Sequence, residues 1–198
     1  MRKLAIMLGG AILLAGCQPA APPPPPPPPP VDMNNLLAAP GFLAHATSAN
    51  LFEIQSSQLA LQASSNPQVR NYANLIISDH TRLGQAVGAA AQSAGIVPPP
   101  PGLLPEEQTA LSQLAAAGTG PNFDMAYRQA QITAHQQAIG LMQNYAASGD
   151  VPALRTAAQQ AIPMMQLHLQ QAQLLNVAPP PPPPPPPMPA PGERGERG

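Results

Sequence analysis

The chain has 198 residues, with 31 prolines, one cysteine, no tryptophan, 3% aromatic and 9% charged residues. That length allows one ordinary domain with tails, and one cysteine excludes a disulfide framework or a Cys-rich metal site. A formal net charge of −1 gives no electrostatic basis for holding a phosphate backbone, so nucleic acid is not an expected partner.

The first segment, 1–16, reads as a lipoprotein signal peptide. Arg2 and Lys3 make a positive start, Leu4 to Leu14 form an apolar run too short to span a bilayer, and Leu14-Ala15-Gly16-Cys17 matches a lipobox. Cys17 is therefore the expected lipidation site and the anchor to the membrane, each buried methylene adding about 0.8 kcal/mol. Gln18, in place of Asp, resembles lipoproteins sorted to the outer membrane, facing the periplasm. Segment 17–40 is a Pro-rich linker containing nine consecutive prolines, Pro22 to Pro30. A second such run, Pro179 to Pro187, lies in the tail 178–198, which is too polar and short to fold. Each run sets φ and lacks donors, giving a polyproline II rod of about 28 Å. The rods read as spacers, and a protein or the cell wall is their candidate partner.

Between the rods, residues 41–177 are rich in Ala, Leu and Gln with helical periodicity. Four long helices are expected near 41–64, 67–94, 122–148 and 151–176. Asn66-Pro67 starts the second and Gly120-Pro121 the third. Short loops make two antiparallel hairpins, and Pro105-Glu106-Glu107 opens a short extra helix within the 95–121 connection. The expected fold is all-α, an antiparallel four-helix bundle.

Unrolling each helix at 100° per residue shows where its ionisable groups point. Glu53 lies on the arc of Phe42, Ala46 and Ala60, and His80 on that of Val69, Ala73, Ile76 and Val87. His168 lies among Leu154, Ala161 and Ala172. His135 shares its arc with Ala138, Ile139 and Met142, although Asp124, Arg128 and Gln131 fall on the same line. Counting from the hairpins puts Glu53 and His80 within roughly 3 Å in height and His135 and His168 within roughly 5 Å.

One acid and three imidazoles inside a bundle must pair or bind something. Glu53, His80, His135 and His168 suit Fe, Mn, Zn or Cu. They equally suit a hydrogen-bonded cluster that sets helix register. Asp79, bordering the buried face, is placed to hold the second nitrogen of a neighbouring histidine. Asp124 and Arg128 are spaced for a helical salt bridge, His45 sits at the rim of its arc, and Pro163 is expected to kink the fourth helix. Met164 and Met165 would suit Cu(I), though Met at helical spacing is ordinary core.

Phe42, Glu53, Gln58-Leu59-Ala60-Leu61, Pro67-x-Val69, Asp79-His80, Phe123-Asp124-x-x-Tyr127, His135 and Pro163-x-x-x-x-His168-Leu169 occur in that order. Together they resemble the exported bacterial domain-of-unknown-function family 4142, over about 42 to 175. The resemblance implies a ferritin-like bundle in the cell envelope and no settled activity. Ferritin-like di-iron sites take a Glu from two helices and Glu-x-x-His from the others. This chain has no Glu-x-x-His, so that chemistry is not expected. There is likewise no phosphate loop or nucleophile elbow. The leading expectation is a stress-related or metal-binding envelope protein without catalytic residues. The alternatives are a mononuclear metal oxidoreductase and a non-catalytic structural envelope protein. The residues do not define an oligomeric state.

Overall fold

The structure is a computed structural model and describes residues 32–177. The signal segment, Cys17, both nine-proline runs and the polar tail lie outside the described residues. Five helices follow in order: α1 Ala39–Ala63, α2 Pro67–Ser93, α3 Pro105–Ala116, α4 Pro121–Ser148 and α5 Pro152–Leu174. No strand occurs among the described residues.

Every helix carries a proline in its first turn, where the missing N–H has no intrahelical partner to lose. This explains why α1 starts at Ala39, two residues before the expected Gly41: Pro40 belongs to the first turn instead of marking a boundary. Asn66 caps α2, its side-chain oxygen accepting from Gln68 N at 2.9 Å. Pro163 lies inside α5, as read from the sequence.

The chain's ends fix the helix directions. Gly120 N donates to Ala63 O at 3.0 Å, so α4 begins where α1 ends. Asn176 N donates to the Gln68 side chain at 2.9 Å, so α5 ends where α2 begins. Asp150 N donates to Leu37 O at 3.0 Å, placing the α4–α5 turn beside the start of α1. The helices therefore run up, down, down, up, in the cyclic order α1–α2–α5–α4, with neighbours antiparallel. One long crossover, 94–120, joins the two hairpins, and its helix α3 covers the α1–α4 edge. Ser48 fastens it there, donating to Glu107 Oε2 at 2.8 Å and accepting from Leu104 N at 2.7 Å. No described helix is long and apolar enough to cross a membrane.

The apolar core is split into two blocks. One gathers Phe42, Leu43, Leu83, Met142, Tyr145, Leu154 and Met165. The other gathers Ala60, Val69, Ile76, Phe123, Tyr127 and Ala172. Along each long helix, the inward ionisable residue falls between the members of one block and those of the other. A polar layer therefore crosses the middle of the bundle.

One expectation is corrected here. Arg128 does not bridge to Asp124; its guanidinium donates to the carbonyls of Ala172, at 3.3 Å, and Gln173, at 2.8 Å. The last carbonyls of a helix lack intrahelical donors, and the α5 terminus offers them within reach. Asp124 is instead buried at 5% exposure.

Candidate metal centre

Glu53, His80, His135 and His168 are each at most 1% exposed. They come from α1, α2, α4 and α5 respectively. The three imidazole centroids form a nearly equilateral triangle with sides of 5.4, 5.5 and 5.6 Å. One ring nitrogen of each lies within 4.8 Å of the other two.

Each ring is oriented by its other nitrogen. His80 Nδ1 sits 3.0 Å from Asn50 Oδ1 on α1. His135 Nδ1 sits 2.9 Å from the Gln131 carbonyl one turn earlier. His168 Nε2 sits 2.9 Å from Asp79 Oδ2. All three partners are acceptors, so each of these nitrogens carries the proton. The opposite nitrogens, His80 Nε2, His135 Nε2 and His168 Nδ1, are buried without a hydrogen-bond partner. An oxygen acceptor fixing the tautomer of a histidine from behind is the usual support of a metal-ligating imidazole.

Glu53 occupies a different place from that of the three rings. It does not belong to the group of mutually close ligand atoms. Its Oε1 lies 3.1 Å from His135 Nδ1, the nitrogen bonded to the Gln131 carbonyl, and neither carboxylate oxygen has a hydrogen-bond donor aligned on it. Asp79 lies against His168, and Arg82 grips its second oxygen. His45 is half-buried and outside the cluster.

The electrostatics follow from burial and this geometry. Burial pushes the Glu53 carboxyl up, but His135 and His80 override it and hold it below the ordinary carboxylate range. Burial pulls His135 down, and the Glu53 charge reverses the shift, leaving it raised. His80 has no such contact and burial takes it down to about 4, Glu53 only partly opposing. His168 is also lowered by burial, against the pull of Asp79. Asp79 is raised by burial but ends below its ordinary value through His168 and Arg82. Glu53 and His135 thus favour each other's charged forms, while burial favours the neutral forms of His80 and His168.

Asn50 and Gln131 were not foreseen as supports. Asn50 precedes Glu53 by three positions, hence by nearly one turn, so the inward acid already marked its face. Gln131 was visible only as a polar interruption of the α4 apolar line. It is fully buried, and its amide donates to Ser56 Oγ at 3.0 Å.

A solved structure described as CopM in the Cu(II)-bound form superposes with a TM-score of 0.57 at 21% identity, covering 69% of this chain and 93% of that one. At that identity the likeness speaks for the helical fold alone. No curated protein matches the sequence. The family model for a domain of unknown function, DUF4142, matches residues 23–175, and the chain belongs to that family.

Proposed function

We propose that this protein is a transition-metal-binding bundle of the bacterial envelope, holding one ion on His80 Nε2, His135 Nε2 and His168 Nδ1. One observation carries the reading: three buried imidazoles each bring a ring nitrogen within 4.8 Å of the other two, and on each ring one nitrogen lacks a hydrogen-bond partner while the opposite one is anchored to an acceptor. A purely structural cluster would leave these polar atoms unsatisfied, at about 1–3 kcal/mol each. Nitrogens within 4.8 Å of one another put a central ion at most about 2.8 Å from each. Metal–imidazole bonds are about 2.0–2.1 Å, so each nitrogen would move inward by roughly 0.7 Å at most. Small rotations of three side chains supply that.

Glu53 acts in this reading as a buried counter-charge behind His135, and a carboxylate shift would let it serve as a fourth donor. Three imidazoles suit copper or zinc better than a carboxylate-rich iron or manganese site. Copper is the first of these to test, since the similar bundle described above is Cu(II)-bound. The single crossover is the connectivity of ferritin-like bundles, but the donor set is not that of a di-iron oxidase. Export, lipidation of Cys17 and a place on the periplasmic face of the outer membrane complete the proposal. They rest on the signal-like first 17 residues.

The test is elemental analysis of the purified protein, followed by titration with Cu(II), Zn(II) and Co(II). About one ion per chain is expected, and the double variant His80→Ala/His168→Ala should take up none. Equal metal content in that folded variant refutes the assignment.

A further inference from the structure

The metal centre is enclosed, so an ion needs a way in. Two of the grooves in the described surface bear on this. The larger, about 820 Å³, lies where α3 crosses α1 and α4, and none of its lining residues bonds to a histidine of the cluster. The smaller, about 530 Å³, runs between α2 and α5, with Asp79, Arg82, Ala86, Ala157 and Met164 in its walls. Asp79 belongs to both places. Its side chain is 16% exposed in the groove, while Oδ2 touches His168 Nε2 at 2.9 Å. Its other oxygen is held by Arg82, whose side chain is 70% exposed.

We infer that the ion enters and leaves through the α2–α5 groove, with Asp79 as the first anionic contact and Arg82 as the group that swings aside. This rests on the metal-binding reading above. A carboxylate on the floor of a low-dielectric groove concentrates cations at that point. An exposed ion pair is worth only about 0–1 kcal/mol, so a flexible arginine releases it readily. Alanines at 86, 90, 153, 157 and 161 leave the groove wide enough for a partly hydrated ion. His168, whose Nε2 is bonded to the groove acid, is then the ring the ion passes on its way to the free Nδ1.

Stopped-flow uptake of Co(II), read in the visible band, tests the route on the full-length protein. Ala86 is exposed, so Ala86→Trp fills the groove without disturbing the core. It should slow both association and release about tenfold or more and leave the equilibrium affinity within twofold, because a blocked path changes both rates equally. Asn144→Trp, in the larger groove, should change neither rate. Arg82→Ala should speed association about threefold at low salt, an advantage that fades as salt screens the field. The route is overturned if Ala86→Trp binds and releases at the wild-type rates, or if Asn144→Trp is the slow variant. Wild-type protein that shows no saturable Co(II) binding overturns the metal reading itself, and the route with it.

Discussion

Acid should destabilise the metal-free protein through His80, by an amount that follows from its surroundings. Burial takes this imidazole from an ordinary 6.5 down to about 4. The folded value lies below the unfolded one, so the unfolded chain takes up the proton first. Stability that is complete above pH 6.5 is therefore lost progressively toward pH 4. At about 1.4 kcal/mol per unit the full loss is about 3 kcal/mol, of which about 2 kcal/mol falls between pH 7 and pH 4.5. That is a large share of a typical 5–15 kcal/mol total. The assay is urea unfolding by circular dichroism at both pH values, after chelation, on wild type and His80→Gln. Glu53 and Asp79, both held low, also lose their contributions toward acid, but they do so in both proteins. His135 is raised, so its contribution is present below pH 6.5 and fades toward alkali; it does not mimic the effect. The wild type should lose about 2 kcal/mol more than the variant between the two conditions. Parallel pH profiles would refute the argument that burial, aided by His135 and His168, keeps His80 neutral.

Metal uptake should release protons, since Glu53 raises the proton affinity of His135, which must bind the ion through a bare nitrogen. Calorimetry in buffers of different ionisation enthalpy should show proton release that grows as pH falls, with affinity rising as pH rises. Phe42, fully buried and stacked on Tyr145 at 3.8 Å, should cost about 3–5 kcal/mol when changed to Ala. It lies eleven residues from Glu53 along α1, about 16 Å, so metal affinity should stay within twofold. Gly41→Ala should cost about 1–3 kcal/mol, because the new methyl would run into the backbone carbonyl of Asn35. Thermal melting measures the loss, and hydrogen exchange should rise selectively over 32–38.

The architecture was largely legible, because its punctuation is local. Asn66-Pro67, Gly120-Pro121 and the turn at 149–151 break a helical pattern at points where no helix continues, and the structure starts or ends its helices within two residues of them. The inward turn of His80 and His168 was legible for the same reason: each stands alone on an otherwise apolar arc. What the pattern does not carry is rotation about χ angles. Helical phase puts Glu53 in the interior without saying which nitrogen of His135 it meets. Spacing pairs Asp124 with Arg128 without weighing the open carbonyls at the end of α5, which belong to another helix. Asn50 was hidden because an asparagine at a half-buried position reads as surface until a histidine from α2 is seen opposite it.

The triad draws on α2 from the first hairpin and on α4 and α5 from the second, at the level where the two apolar blocks part. Residues 80 and 168 are remote in sequence, yet a coordinated ion would rivet them together at the waist of the molecule. Gain or loss of that ion would then be felt as a change in how firmly the two hairpins grip each other. A metal-binding protein built this way would convert the chemical availability of its ion into mechanical stiffness.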